Sequence, residues 1–352
     1  MAVVLFHLNA AISANFEHWI HPSVQWLFTQ GRFGVEVFFV LSGFVIPYSI
    51  RNARLGLGFV GRFALRRSIR LDPPYWAAIL LETFLIYLGL RVGLADSPLP
   101  STAQFFSHFF YLQNLLGLGD IVDVFWTLCF EIQFYLGLII LFVLGARLGD
   151  AVGRRWARPL GAAVLSVLFV VSILGRYQLF GIQIHPGVAL IRWYQFFLGT
   201  CVYWVVTGKM SWRPLLAAWL VIGVVLVALR EPVIEAVPIL ASALLWWSYQ
   251  RDQMTTVLSG RVVQFLGAIS YSLYLFHASI GWRWIGLLSR YFGSDAALPV
   301  VIAAFTTGSL ACVGGGWLAW RCIERPAMRF SKVVTFRPNT AAPRDVGIAV
   351  HR

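Results

Sequence analysis

Charge is what this chain has least of. Only 12% of its 352 residues are Asp, Glu, Lys or Arg, while 59% are hydrophobic and the mean hydropathy is +0.74. That balance excludes an ordinary soluble domain and leaves a polytopic α-helical membrane protein. Acid is scarcer than base: 15 Asp and Glu against 28 Lys and Arg, a net charge of +13. Such an excess could suit nucleic acid. Here, however, the basic residues fall at the ends of apolar runs and not along one amphipathic face, so the charge follows topology and nucleic acid is not expected as a partner. Cysteine is sparse as well. Cys129, Cys201 and Cys312 lie inside apolar runs and Cys322 at a helix end, with no metal-ligand spacing and no place in an outer loop for a disulfide. They read as small packing residues, and no metal is expected. The first 14 residues lack a basic start and a small-residue cleavage site, so no cleavable signal peptide is expected.

What is present is a series of apolar runs. Taking about 17–25 residues as one crossing gives ten, at roughly 1–14, 33–50, 73–94, 124–146, 159–175, 188–206, 214–229, 232–248, 262–286 and 298–320. With the first residue inside, the inner segments hold 21 of the Lys and Arg and the remainder 7. Basic residues concentrate on the cytoplasmic side of short loops. The expected fold is therefore all-α: a transmembrane helix bundle of about ten spans with both ends cytoplasmic. Residues 1–332 form the membrane domain and 333–352 a disordered tail, because Pro, Asn, Asp and Arg recur there without periodicity. Segment 95–104 carries turn chemistry, and the aromatic stretch 105–119 reads as an interfacial or re-entrant helix.

Two groups of residues do not suit a passive bundle. One is the segment from Arg51 to Arg70, with six arginines and no acid. Arg67 and Arg70 are three apart and share a helical face, with Arg66 beside them; paired guanidinium forks suit bidentate phosphate contacts. The plainer reading is a topology anchor on anionic lipid. Pro73 and Pro74 follow, and two prolines open a helix but do not suit its middle. The other group is ionisable residues at membrane depth, which are expensive unless paired or hydrated: His7, Glu36, Glu82, Glu131 and His277. Each has a structural alternative. A lone histidine can bond a neighbouring carbonyl, Glu82 can pair with an arginine, and Glu36 can reach the outer interface. Glu131, a third of the way along its span in VFWTLCFEIQFYL, is the hardest to explain as structure alone.

These residues sit in segments that resemble the acyltransferase 3 family of integral-membrane acyltransferases. MAVVLFH resembles its first-span histidine motif. GVEVFFVLSGFVI resembles its second span, with Glu36 where Asp is more usual. RRSIRLDPPYW resembles its Arg-x-x-Arg segment followed by Pro and Tyr. FWTLCFEIQFYL resembles its Trp-Ser-Leu-x-x-Glu motif, with Thr127 in the serine place. ISYSLYLFH and IERPAMRF complete the order. The resemblance implies transfer of an acyl group, often acetyl, from cytosolic acyl-CoA to a hydroxyl on a glycan, lipid-linked sugar or secondary metabolite, in the cytoplasmic membrane of a bacterium. It implies His7 as base, with Glu131 orienting it or helping to bind acceptor. Arg66, Arg67 and Arg70 would hold the phosphates of CoA, and Glu36, Tyr75, Trp126 and His277 would contact substrate. A transporter of a lipid-linked sugar is the rival class. It would show paired discontinuous helices and internal pseudo-symmetry, and the sequence contains no internal repeat.

The first apolar run is short. Fourteen residues make about 21 Å of helix, and the bilayer core needs about 20 residues. The family pattern also places an arginine eleven positions before the first-span histidine, which falls upstream of Met1. The expectation is an upstream extension of at least five residues carrying that arginine.

Overall fold

The computed structural model describes the chain apart from residues 18, 19, 95–97, 232, 255, 257 and 337–352. The expected disordered tail lies outside the described residues from 337 onward, as do the first residues of the turn-rich segment 95–104. The last described aromatic, Phe336, packs on Phe59 with ring centroids 4.9 Å apart.

The described residues are helical, with no strand among them. In order the helices are α1 (Ala2–Asn15), α2 (Pro22–Thr29), α3 (Phe33–Ser49), α4 (Leu57–Arg91), α5 (Thr102–His108), α6 (Trp126–Val152), α7 (Arg154–Arg176), α8 (Trp193–Val206), α9 (Arg213–Leu229), α10 (Val237–Gln250), α11 (Arg261–Ala268), α12 (Ser270–Phe292), α13 (Leu298–Ala319) and α14 (Arg325–Ser331). Every expected apolar run contains a helix. Among the described residues five stretches are long and apolar enough to cross a membrane, and six if α11 and α12, bent by 73°, count as one; α1 and α9 are shorter apolar helices. The chain is thus a helical integral membrane protein.

Two expectations change. Pro73 and Pro74 do not start a helix. They lie inside the 35-residue α4, where each removes an N–H and frees a carbonyl one turn earlier. The helix continues through them, and side chains bond the same stretch: Ser68 donates to Asp72, Tyr111 donates to the other Asp72 oxygen at 2.9 Å, and Tyr271 donates to the Leu71 carbonyl at 2.8 Å. At 1.5 Å per residue α4 is about 52 Å long, well beyond a bilayer core of about 30 Å. Arg62, Arg66, Arg67 and Arg70 lie in its first half. Nor is 105–119 one helix. Only α5 is helical, and turns follow it to residue 117.

The contacts divide the chain into two compact units: Met1–Val35, Arg66–Leu128 and Val262–Val333, and Glu36–Leu65, Cys129–Arg261 and the residues after Val333. In the first, α1 lies on α12 and α13, with Val4, Leu8 and Ile12 packed among Leu273, Ile285, Val301 and Cys312. In the second, α3 meets α8 at a joint that its sequence explains. Pro47 inside α3 frees the Gly43 carbonyl. Thr200 of α8 donates to that oxygen at 2.9 Å. The approach is close enough that a Cβ on Gly43 would strike the Phe196 carbonyl, and one on Gly199 the Val40 carbonyl. Small residues let helix backbones touch where no hydrophobic drive brings them together.

Candidate active site

In the first unit, α1 and α12 bring His7 and His277 together. Their ring centroids are 5.0 Å apart, and His277 Nε2 lies 3.0 Å from His7 Nδ1. The surrounding carbonyls decide where the protons sit. His277 Nδ1 lies 2.8 Å from the Tyr274 oxygen and 3.2 Å from that of Leu273. Both are acceptors only, so Nδ1 carries the proton and Nε2 of the neutral ring holds a lone pair. His7 Nδ1 is 3.0 Å from the Val3 oxygen and faces that lone pair as well. It must therefore donate to both. The remaining nitrogen, His7 Nε2, holds the free lone pair and makes no hydrogen bond among the described residues. His277 is 1% exposed, whereas His7 is only part-buried. The pair thus has an inner ring that fixes the tautomer and an outer ring whose basic nitrogen is accessible.

The helix carrying His277 is anchored at its start. No side chain on the chain's own N-cap residue closes α12. Glu324 does so from a distant part of the sequence, accepting from the Ser272 N–H at 3.1 Å and from its hydroxyl at 2.6 Å. A carboxylate at a helix N-terminus satisfies an orphan donor and suits the helix dipole. Arg70 acts electrostatically on this carboxylate. Arg66, Arg67 and Arg70 lie on one face of α4; Arg70 is exposed and the other two are part-buried. Farther along α4, Glu82 accepts both guanidinium nitrogens of Arg283 on α12 at 2.8 Å. This is the structural pairing that the sequence offered for Glu82.

Tyr75 has no exposed surface. Its ring stacks on Tyr111 at 4.7 Å, and its hydroxyl accepts from Gln113. Trp126 is the first residue of α6 and part-buried. Next to it Thr127 shares a 2.7 Å hydrogen bond with the Tyr274 hydroxyl, one turn before His277. The stretch after α5 is held by His108, which lies in the aromatic stretch expected as an interfacial or re-entrant helix and carries no signal of its own in the sequence. Its Nδ1 donates to the Gln104 carbonyl at 2.7 Å, and its Nε2 accepts the Ile121 N–H at 3.0 Å. Burial pushes its pKa below the ordinary histidine range, with the Gln104 bond opposing. It bridges backbone and stays neutral.

In the second unit Glu131 lies in α6, 5% exposed. Glu36 begins a separate network. Its Oε1 pairs with Arg192 at 3.2 Å, and Arg176 pairs with Glu235 at 2.9 Å. Tyr177 and Tyr194 donate to Glu235, and Gln195 donates to the Tyr194 hydroxyl. In the sequence Arg176 and Arg192 are simply two of the seven basic residues outside the inner segments. Their partners are 59 and 156 residues away, and no local period reveals a pairing of that kind.

A family model for the acyltransferase 3 family, described as an acyltransferase domain, matches residues 1–321. The chain belongs to that family, and it is a membrane acyltransferase. Among similar curated proteins, "Acyltransferase MdmB" of Streptomyces mycarofaciens is 28% identical over 90% of this chain and 85% of its own length. "Nodulation protein 10" of Rhizobium leguminosarum bv. viciae is 25% identical over 92% of each chain. "Exopolysaccharide production protein ExoZ" of Rhizobium meliloti (strain 1021) is 26% identical over 86% of this chain and 91% of its own length. No solved structure matches.

Proposed function

We propose that this chain is an O-acyltransferase that moves an acetyl group from cytosolic acetyl-CoA to a hydroxyl of a cell-envelope glycan or lipid-linked sugar, in the cytoplasmic membrane of a bacterium. The observation that carries the reading is the His7–His277 pair, which leaves one accessible basic nitrogen in an apolar bundle. A hydroxyl is a poor nucleophile at neutral pH and needs such a base. His7 Nε2 takes the hydroxyl proton while the oxygen attacks the thioester carbonyl carbon. The tetrahedral adduct then collapses, the C–S bond breaks, and His7 returns the proton to the departing sulfur of CoA. His277 keeps the Nδ1–H tautomer of His7 throughout. His277 is therefore a positioning residue in this reading and does not contact the substrate.

Arg66, Arg67 and Arg70, on one face of α4, are assigned to the phosphates of the donor. Glu131 is assigned to the acceptor half of the reaction because it is a carboxylate buried in an apolar helix. Trp126 is assigned to substrate contact, and enclosed Tyr75 to supporting α4. The name of the exopolysaccharide relative favours a glycan acceptor over a secondary metabolite. The test is purified protein with acetyl-labelled CoA and lipid-linked glycan extracts. Label appearing on glycan in step with free CoA supports the proposal. Glycan transport without thioester consumption would replace it with the transporter reading.

A further inference from the structure

The closing motif IERPAMRF, residues 323–330, holds neither donor nor acceptor in the proposed reaction. It does explain an unusual piece of backbone. Pro326 has no N–H to give the Cys322 carbonyl one turn back, and its ring crowds that oxygen. The turn before it opens into a single π-helical turn, Trp320–Glu324, closed by the Arg325 N–H on the Trp320 carbonyl. Such a turn inserts one extra residue, so the side chains beyond it point away from where an unbroken α13 would aim them. The side chain redirected here is Glu324, a carboxylate only 3% exposed.

Glu324 meets the start of α12. In the sequence α11 and α12 belong to one apolar run, yet they are bent by 73° at the break between them. In an unbroken helix the Ser272 N–H would bond the Ala268 carbonyl, four residues back. Instead one oxygen of Glu324 accepts that N–H at 3.1 Å and the Ser272 hydroxyl at 2.6 Å. The ladder of α12 opens one residue later, with the Leu273 N–H on the Ile269 carbonyl at 2.8 Å. A charged acceptor therefore occupies the donor that a straight helix would use, and charge-assisted bonds are about twice as strong as neutral ones. The carboxylate holds the bend.

The bend sets the line along which residues 273–277 run. Two further contacts from α13 follow that line. A Cβ on Gly316 would stand 2.8 Å from the Leu273 Cα, and Cys312 Sγ donates to the His277 carbonyl at 3.4 Å. The Leu273 and Tyr274 carbonyls on the same stretch hold the His277 Nδ1–H. We infer that Glu324 is a positioning residue for the histidine pair: by holding the bend at the start of α12 it keeps His277 Nε2 against His7 Nδ1. The Tyr271 hydroxyl, on the Leu71 carbonyl at 2.8 Å, ties the same turn to α4, so the fold does not depend on the carboxylate alone. The inference rests on the proposed transfer reading in what it says of turnover; the contact between the rings is a property of the first unit by itself.

The experiment uses the full chain in lipid nanodiscs with ¹⁵N-labelled histidine, comparing wild type, Glu324→Ala and Glu324→Gln. Solid-state ¹⁵N–¹⁵N correlation reads the contact between the two rings, and signals lost in His7→Gln and His277→Gln assign them. Acetyl transfer from acetyl-CoA and the thermal transition are measured on the same proteins. The wild type should correlate His7 Nδ1 with His277 Nε2. Glu324→Ala should weaken or abolish the correlation and lower kcat about tenfold or more, the scale of a hydrogen bond to a charged group, with KM for acetyl-CoA unchanged. Glu324→Gln keeps an oxygen for the Ser272 N–H and should recover much of both. A cap that serves stability alone would lower the thermal transition and leave correlation and kcat at wild-type values, and that result overturns the inference. So does a raised KM for acetyl-CoA with the correlation intact, which would place the carboxylate with the donor. Should Glu324→Ala not fold, Ser272→Ala removes the hydroxyl bond only and carries the same readouts. A lost correlation with undiminished turnover sinks His7 as the base and leaves the hold on α12. A wild type that transfers no acetyl group sinks the transfer reading, and the correlation still decides the inference.

Discussion

At the scale of the residue, the proposal turns on a proton's position. Two carbonyls on α12 hold the Nδ1–H of His277, and that ring in turn holds the Nδ1–H of His7. Replacing His277 by Leu removes one of the two acceptors of the His7 Nδ1–H and leaves the Val3 carbonyl alone to hold the ring. The expected outcome is a fall in kcat with KM for acetyl-CoA unchanged. His277→Gln can place an amide oxygen where Nε2 was, and it should recover a large part of the rate. Steady-state kinetics of the two folded variants check this, since a purely packing role would favour Leu over Gln. The sequence made both histidines visible as ionisable groups inside apolar runs. It could not show that they meet, because 270 residues separate them, nor which is inner. That follows from α1 packing on α12.

At the scale of the element, α4 combines two tasks. Its first turns present Arg66, Arg67 and Arg70 on one face, and its later turns carry Glu82. Replacing Arg67 and Arg70 together by Gln should weaken acetyl-CoA binding by at least about tenfold, since a hydrogen bond to a charged group contributes about 1.5–3 kcal/mol. The thermal transition should stay nearly unchanged. Calorimetric titration of the folded double variant decides, and undiminished affinity leaves the arginines as a topology anchor. The Glu82–Arg283 pair predicts the converse pattern. Glu82→Gln strands a cation beside apolar helices and should lower the unfolding temperature, while adding Arg283→Gln should restore part of the loss. Both variants should bind acetyl-CoA normally, because neither residue is assigned to the donor. A double-mutant cycle on thermal unfolding measures the coupling. Local rules reached the arginine face correctly, since i, i+3 spacing needs only a helix. They failed at Pro73 and Pro74, where α4 continues and Ser68, Asp72, Tyr111 and Tyr271 bond the same stretch through contacts that propensity does not contain. The same holds for Gly43 and Pro47. As sequence they mark a weak point in α3, whereas in the fold they form its joint with Thr200 of α8.

At the scale of the whole molecule, the apolar runs set where helices form, but their length alone does not set how many cross. Three, α1, α8 and α10, are only 14 residues long, and a short helix crosses only by help from its neighbours or from a thinner bilayer. The arginine bias nonetheless predicts ten crossings with both ends cytoplasmic. Reporter fusions after Lys209 and after Gly293 should report the inside and the outside respectively. The same side for both would require an even number of crossings between them and would overturn the ten-span topology.

The central claim, that His7 Nε2 is the base for acyl transfer, is tested most directly by His7→Ala in a purified, folded protein whose acetyl-CoA affinity is measured beside its turnover. Transfer of labelled acetyl to glycan should fall by about 10²–10⁴-fold, the usual contribution of a general base, while donor affinity stays near wild type. Transfer within a few-fold of wild type, with donor affinity retained, would contradict the claim.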